Sequence, residues 1–564
     1  MPASPTSALA TPAGQAFGKT ATSGAAPIER LLRNPGFVTS IVVLGVLLRV
    51  WAYASNTSLY LDEILLSRSI LDLPLRHLLT QPLLFDQVAP RGFLLVERLA
   101  VVIFGQHELT LRLFPFVCAL ASVIIFRRLA ERMLTGAAPV MAVLLFAIGV
   151  PFIRFGSDVK QYEVDITAAI VLLLLALDLR ECDASTKRLL LLGVFGFVVI
   201  WFSQAAVLAM AGLGLALAVD WIISRDRRTG RGLLITIPLW ASASLIAVIA
   251  GFRSMTPVTR EFMHDFWAEG FAPLPLKAMA DIRWLWNSWT SLFGDATLLR
   301  YGWPAVFVAV ALVGAVALWK RRRSAALFLL GPFTVCMAAA VAQQYPFRGR
   351  LVVWLLPSIL LAVAAGIDWL RRLTSFLHPL LGSALMMAFL VPPVLALAKA
   401  HPPYEIEHHR ELLTYLQKHR QPGDLVYVLQ VQQVGTVFYG SRYGLLPNDW
   451  TSGVCDEKDT RAYIRDVDRY RGVPRLWVLS GSGRPLRPIH ESVRSYLSTI
   501  GVKRDSLSLP SLTLGSVRIE LYDLSDPMRL RAATAATFPA PPMPRGRRSS
   551  CREWTRSSYG TASR

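Results

Sequence analysis

The chain has 564 residues, of which 53% are hydrophobic and 17% are charged, and its formal net charge is +21. This hydrophobic content excludes an ordinary soluble protein, because many windows approach the ~20 apolar residues that cross a bilayer. A strongly basic soluble protein would suggest nucleic-acid binding, whereas in a membrane protein Lys and Arg mark the cytoplasmic loops. The composition therefore predicts a polytopic α-helical membrane protein with no nucleic-acid partner.

Residues 1–35 are rich in Ala, Ser, Thr and Pro, which predicts a disordered cytoplasmic tail rather than a cleaved signal peptide. Residues 36–398 follow as a transmembrane domain of about eleven spans. The spans are expected at residues 36–54, 110–126, 137–153, 164–179, two within 189–219, then 233–252, 303–319, 325–342, 351–367 and 376–398. Lys and Arg concentrate in the tail and in the inner loops of this arrangement, so the N-terminus is expected inside and the C-terminus outside.

The first outer loop contains two apolar segments that charges interrupt. Residues 62–83 alternate Leu and Ile with Arg and Asp, and residues 92–105 hold Glu97-Arg98 at their centre. Both patterns are typical of helices that lie in the membrane interface rather than cross it.

The composition changes at about residue 401, where a small extracytoplasmic α/β domain is expected to begin and to extend to residue 526. Helices are predicted at residues 407–420, 457–471 and 489–500, and strands at 424–430, 474–480 and 515–523. Residues 527–564 are rich in Pro, Arg and Ser, which predicts a disordered basic tail.

Five short motifs lie on the outer side of this predicted arrangement. They lie at residues 60–63 (YLDE), 86–93 (DQVAPRGF), 111–115 (LRLFP), 157–162 (SDVKQY) and 348–350 (RGR), the last followed by Pro357. In this order they resemble the polyprenyl-phosphate-dependent glycosyltransferases of the C-type (GT-C) fold, which include protein O-mannosyltransferases and lipid A aminoarabinose transferases. Family members often carry a proline pair where this chain has Pro90-Arg91, and the C-terminal domain matches no family pattern.

The resemblance implies that the chain is a glycosyltransferase of the cell envelope. It would move a hexosyl or pentosyl group from a polyprenyl-phosphate donor to a lipid, glycan or protein acceptor on the outer face. The expected location is a bacterial plasma membrane, with an endoplasmic reticulum as the alternative.

Asp62 and Glu63 form an acidic pair where the first span leaves the membrane, and charge close to hydrocarbon is costly. A departing phosphate needs no general acid, so the transfer requires a base for the acceptor proton and positive charge for the phosphate. Asp62 is the expected base, and Glu63 is expected to orient the acceptor or to hold a metal. The alternative for Asp62 is a helix cap at the interface.

The predicted donor phosphate ligands are Lys160, Arg348 and Arg350 in short outer loops, with Arg91 as a further candidate. Arg binds phosphate oxygens in a bidentate fork. Anchoring to lipid headgroups is the alternative for these cations. Other side chains expected to line the cavity are Asp158, Tyr162 and Gln87.

His264 and Asp265, with Glu261 one turn earlier, lie in a long outer loop rich in Trp. Such side chains can share a helix face and bind a divalent metal ion, and Glu63 is a further predicted ligand. An ordinary interfacial position is the alternative for His264.

Two other functions are compatible with the sequence. A transporter or flippase of lipid-linked sugars would place ionisable residues near mid-membrane, whereas here the charges collect at one face. A non-catalytic membrane protein of polysaccharide assembly would tolerate the loss of the Asp62 carboxylate.

Overall fold

A computed structural model describes residues 34–181, 185–274, 278–456, 459–481, 486–512 and 515–542. Most of the two predicted disordered tails, residues 1–33 and 543–564, lies outside this range. The membrane part contains helices α1 (Pro35–Ala54), α2 (Leu61–Asp72), α3 (Leu75–Thr80), α4 (Arg91–Phe104), α5 (Glu108–Leu111), α6 (Leu113–Met133), α7 (Ala138–Ile148), α8 (Val150–Arg154), α9 (Tyr162–Glu181), α10 (Thr186–Val199), α11 (Ala206–Ser224), α12 (Arg227–Arg253), α13 (Pro257–Phe266), α14 (Ala278–Gly294), α15 (Pro304–Arg321), α16 (Arg323–Val341), α17 (Leu356–Leu377), α18 (Pro379–Ala388) and α19 (Val391–Lys399).

Within the described residues, eight helical segments are long and apolar enough to cross a membrane, and the bent pair α7 and α8 makes a ninth. These nine coincide with nine of the eleven predicted spans. The predicted span at 164–179 corresponds to α9, which carries charges at both ends, and its successor corresponds to the 14-residue α10. The polytopic helical architecture is confirmed.

The first loop contains helices that are not among these candidate spans. The segment predicted as one helix over residues 62–83 breaks at Pro74, because proline has no N–H to continue the ladder of α2. Arg98 of α4 donates to the carbonyls of Ile70 and Leu71 at 2.6 and 2.9 Å, so it caps the end of α2. Helices α2 and α4 are thereby joined into one layer.

The third span bends by 55° between α7 and α8. Pro151 lies in the first turn of α8, so it cannot donate to the carbonyl of Ala147. The buried Arg49 of α1 donates to that carbonyl at 3.2 Å and to the carbonyl of Phe146 at 3.4 Å. Arg49 thus supplies hydrogen-bond donors to carbonyls at the break in the helix and joins α1 to α7.

Small residues bring α15 and α17 into close contact. A Cβ atom added to Gly314 would overlap the carbonyl oxygen of Ala362, and one added to Gly366 would overlap the carbonyl oxygen of Val310. Such backbone proximity is typical of membrane helices that pack through small residues. The middle of α17 is therefore packed closely against α15, and the 3₁₀ turn of Gly349–Leu355 leads directly into this helix.

We expect the substitution Gly314→Ala to destabilise the protein by about 1–3 kcal/mol, the usual cost of overpacking. The measurement is the thermal unfolding midpoint of the purified chain in detergent. The matched control is Gly251→Ala in α12, where no described atom lies within 4 Å of the added Cβ. The control should keep or slightly raise the midpoint, since alanine favours the helix. Equal midpoints for the two variants would contradict the close packing.

The C-terminal domain is a five-stranded mixed sheet flanked by helices, as the α/β prediction requires. Its strands lie in the order β2-β1-β3-β5-β4, with β1 parallel to β2 and β3, and β5 antiparallel to β3 and β4. The elements are α20 (His409–His419), β1 (Leu425–Val428), α21 (Gln430–Tyr439), β2 (Thr451–Ser452), α22 (Arg461–Asp468), β3 (Leu476–Gly481), α23 (Arg487–Ile500), β4 (Val502–Ser511), β5 (Gly515–Asp523) and α24 (Pro527–Leu530).

The domain extends beyond the predicted boundary at residue 526. Leu530, Ala533 and Phe538 pack against its core, and Thr460 donates to the carbonyl of Pro541 at 2.7 Å. The structure thus packs residues 527–542 on the domain, whereas the sequence predicts a disordered tail from residue 527; apolar residues interspersed in the Pro- and Arg-rich segment make these contacts. Residues 543–564 lie beyond the described range.

The C-terminal domain docks directly on the loop between α1 and α2. The carboxylate of Glu407 accepts from the N–H of Leu61, the hydroxyl of Tyr439 accepts from the N–H of Leu59, and Glu411 accepts from the hydroxyl of Ser58, each at 3.0 Å. These contacts satisfy the backbone of a loop that would otherwise leave polar groups unpaired. They fix the position from which α2 begins.

Candidate active site

Helix α2 begins with the acidic pair, because Leu61, Asp62 and Glu63 are its first three residues. Carboxylates in a first turn are favoured by the helix dipole. Glu63 also accepts from the N–H of Tyr60 at 3.2 Å, which is one half of a capping box. The local sequence thus explains why the pair occupies the start of a helix.

Glu63 is buried and fully engaged. Its carboxylate accepts three hydrogen bonds from Nε and Nη2 of Arg112 at 3.0–3.2 Å, and a fourth from the N–H of Val159 at 2.7 Å. Its position therefore favours holding the loop of residue 159 against α2, rather than contact with a substrate or a metal.

Asp62 points away from Glu63 and remains partly accessible. Its carboxylate lies 2.5 Å from a guanidinium nitrogen of Arg350, and both side chains are about one quarter exposed, at 25% and 24%. Burial raises the pKa of Asp62, but Arg350 and then Lys160 outweigh that effect and hold the pKa below its usual value. The carboxylate is consequently ionised at neutral pH.

Lys160 lies on the loop between α8 and α9 and donates to the side chain of Gln87 at 2.7 Å. Burial lowers the pKa of Lys160 to about 8, while Asp62 opposes that change. Asp158 of the same loop accepts from the hydroxyl of Tyr60 at 3.3 Å. Burial raises the pKa of Asp158 to about 6, against the influence of Arg154.

Arg350 lies between two aromatic rings, with its guanidinium carbon 5.6 Å from the ring centroids of both Tyr162 and Trp267. Cation–π contacts of this kind hold a guanidinium in place while leaving its N–H groups free to bind anions. Arg350 thus joins Asp62 and Tyr162 in one cluster. Arg348, two residues earlier, points elsewhere and pairs with the exposed Glu269.

The other predicted ligands lie apart from this cluster. Arg91 donates to the carbonyls of Leu78 and Gln81 at 2.6 and 2.9 Å, which secures the turn after α3 rather than an anion. His264 and Asp265 are half exposed, with Nδ1 and Oδ1 3.9 Å apart, and the His264 ring stacks on Phe271.

Glu63, His264 and Asp265 do not form a metal-binding group in the described part of the chain. A different set, Glu405, His408 and Glu411, has its ligand atoms within 4.8 Å of one another. Glu405 and His408 precede α20, and Glu411 lies in its first turn. The set was not predicted, because only the outer loops of the membrane domain were expected to bind a metal.

Arg112 and Glu407 are the most important residues without a predicted role. Arg112 belongs to the LRLFP motif and was placed within the predicted span 110–126, whereas the structure has it directly before α6, where it pairs with Glu63. Glu407 accepts from the N–H of Leu61. Nothing in the sequence distinguishes it from the other acidic residues near the start of α20, so this contact could not be predicted.

No protein-family model matches the chain, and no curated protein matches its sequence significantly. Among solved structures, the chain is similar to ArnT from Cupriavidus metallidurans bound to undecaprenyl phosphate, with a TM-score of 0.46 and 12% identity over 86% of this chain and 98% of that chain. It is also similar to the oligosaccharyltransferase of Archaeoglobus fulgidus in the apo form, with a TM-score of 0.44 and 11% identity over 86% of this chain and 74% of that chain.

The same archaeal oligosaccharyltransferase, AglB, in complex with an inhibitory peptide and a dolichol-phosphate, gives a TM-score of 0.42 and 12% identity over 83% of this chain and 72% of that chain. A likeness at this identity concerns the fold and assigns no residue.

Proposed function

We propose that the chain is a membrane glycosyltransferase that moves a hexosyl or pentosyl group from a polyprenyl-phosphate donor to an acceptor on the extracytoplasmic face. One observation carries this proposal. The Asp62 carboxylate lies 2.5 Å from Arg350, beside Lys160, at one end of a bundle of apolar helices. A base next to two cations, open to solvent at the membrane surface, is what transfer from a lipid phosphate requires.

In the proposed reaction, Asp62 removes the proton of an acceptor hydroxyl or amine as that group attacks the anomeric carbon of the sugar. The bond between this carbon and the phosphate oxygen breaks, and polyprenyl phosphate leaves as an anion. Arg350 and Lys160 stabilise the charge that develops on the phosphate. The resemblance to the GT-C enzymes implies that this displacement inverts the anomeric configuration.

The ion pair of Asp62 and Arg350 belongs to the donor-free enzyme in this proposal. A bound phosphate competes for the guanidinium, so Asp62 loses the partner that depresses its pKa. The carboxylate therefore becomes a stronger base when the donor is in place. A stronger base beside the donor would also activate water, so the bound acceptor must exclude water from the site.

A small apolar pocket of about 40 Å³ lies between α14, α15, α16 and α17, and its walls include Trp289, Phe333 and Leu355. Leu355 ends the 3₁₀ turn of Gly349–Leu355 that carries Arg350. The pocket is smaller than a prenyl chain, so a lipid tail that enters here requires the helices to separate.

The direct test uses the purified full chain in detergent with a panel of polyprenyl-phosphate sugars and extracted envelope glycolipids. We expect release of polyprenyl phosphate together with one newly glycosylated product, identified by mass spectrometry. Mass spectrometry of a deletion strain should show the loss of the same sugar. Movement of a lipid-linked sugar across proteoliposomes without any transfer would instead establish the flippase alternative.

The pH dependence tests Lys160 as a phosphate ligand. Lys160 is cationic below about pH 8 and neutral above it, so kcat/KM for the donor should fall as pH rises through about 8. Folding stability should move the other way over the same range. The unfolded state binds this proton more tightly, with an ordinary pKa of 10.5, so the free energy of unfolding rises with pH from about 8 to 10.5.

The control is Lys160→Arg, which keeps its charge throughout this range. Its alkaline limb should shift upward by more than one pH unit, even if the rate at pH 7 is reduced. The same limb in both proteins would show that another group titrates and would remove Lys160 from the proposal.

A further inference from the structure

The segment that joins the membrane domain to the C-terminal domain holds two carboxylates around one imidazole. These side chains belong to Glu405, His408 and Glu411, and their ligand atoms all lie within 4.8 Å of one another. His408 is only 9% exposed, and the group borders the loop between α1 and α2 through the contact of Glu411 with Ser58.

The hydrogen bonds of His408 fix which nitrogen faces the carboxylates. Nε2 lies 2.8 Å from the carbonyl oxygen of Pro510, and a carbonyl can only accept, so Nε2 carries the proton of the neutral ring. Nδ1 then presents a lone pair to the carboxylate oxygens of Glu405 and Glu411, at 4.0 and 3.8 Å. Within the described residues, Nδ1 is buried and has no hydrogen-bond partner, and the same is true of Oε2 of Glu405.

The adjacent arginine does not neutralise this arrangement. The guanidinium of Arg410 is committed to Glu108 at 2.9 Å and to the carbonyl of Asn56. His408 is buried, whereas the side chain of Glu411 is 40% exposed. Two carboxylates and a lone pair that converge in a partly buried place repel one another unless a cation lies between them. An imidazole whose other N–H is held by a backbone carbonyl is the usual arrangement of a metal ligand.

We propose that Glu405, His408 and Glu411 bind a divalent transition-metal ion such as Zn²⁺. Ligand atoms around tetrahedral zinc are separated by roughly 3.4 Å, given bonds of about 2.0–2.1 Å, so closure of the group requires movements of less than about 1 Å. Water takes the fourth position. Imidazole with two carboxylates suits zinc better than magnesium, which prefers oxygen ligands alone.

The ion would tie the C-terminal domain to the start of the active site. Glu411 also binds Ser58, and Glu407, between two of the ligands, binds the N–H of Leu61. The metal therefore braces the loop that precedes Asp62, without touching the reacting groups. This role goes beyond sugar transfer and does not depend on it.

The test uses the purified full-length chain in detergent, stripped with a chelator and titrated with Zn²⁺. We expect about one zinc ion per chain by elemental analysis and a thermal unfolding midpoint that rises on binding. The variants His408→Ala and Glu405→Gln should weaken zinc binding by at least about 100-fold, and their unfolding midpoint should no longer respond to zinc. The control His419→Ala, at the exposed end of α20, should bind as the wild type does.

Glu405→Gln guards against misfolding, because it changes one atom and keeps the packing. Equal zinc affinity in the wild type and in both ligand variants would place binding elsewhere and overturn the proposal. Absence of stoichiometric zinc, with a midpoint indifferent to chelator, would also overturn it.

Discussion

Replacing Asp62 with Asn should lower kcat/KM for sugar transfer by about 10²–10⁴-fold, which is the range for loss of a general base. The substitution keeps the size of the side chain but removes the group that accepts the proton. It also frees Arg350 from its 2.5 Å ion pair, so the affinity for the donor phosphate should hold or increase. A fall in kcat without a rise in KM is therefore the expected signature.

The matched control for this variant is Asp72→Asn at the other end of α2. Asp72 forms a salt bridge with Arg68 within the same helix, and its loss should leave the rate unchanged because it is far from Arg350. Wild-type turnover by Asp62→Asn would remove Asp62 from the chemistry and would require another group to take the acceptor proton.

Replacing Arg112 with Leu should destabilise the protein by about 3–5 kcal/mol, because it leaves the carboxylate of Glu63 buried without its counterion. The side chains of both residues are at most 2% exposed, so water cannot compensate. The double variant Arg112→Leu with Glu63→Gln should recover part of this loss, since the uncompensated charge is then gone. Thermal unfolding in detergent measures each member of the cycle.

A surface ion pair supplies the comparison. Arg487 and Glu491 pair at 2.8 Å on α23 but are 58% and 50% exposed, so Arg487→Leu should change the free energy of unfolding by less than about 1 kcal/mol. If Arg112→Leu were equally mild, Glu63 would be reached by solvent, and its assignment to a supporting role would need revision.

The helices of the membrane part were predictable because a bilayer demands long apolar segments. Strand β4 was not predictable from the sequence. Val502–Ser511 lies at the edge of the sheet and has no fully buried residue, so its sequence lacks the apolar face that marks a strand. Helix α21 was missed because it begins almost immediately after β1. Its first residue, Gln430, follows the apolar run that contains β1, so this run predicts a strand that continues to residue 430.

The site was predictable in part. The motifs placed Asp62, Lys160 and Arg350 on one face, and these residues do act on one another electrostatically. Sequence position could not show that Arg350 and Arg348 have different contacts. Arg350 lies against aromatic rings, whereas Arg348 pairs with Glu269. The choice depends on the left-handed backbone of Gly349, at φ +52°, which sends its two neighbours in different directions.

The docking of Glu407 on Leu61 has a consequence for the order of synthesis. The loop that begins α2 is made early, whereas the residues that hold it are made more than 300 positions later. Since domains fold as they emerge, the membrane helices are in place before the C-terminal domain exists. A truncated chain without the C-terminal domain therefore lacks the contacts that fix the start of α2, and under the proposed function it should not transfer sugar.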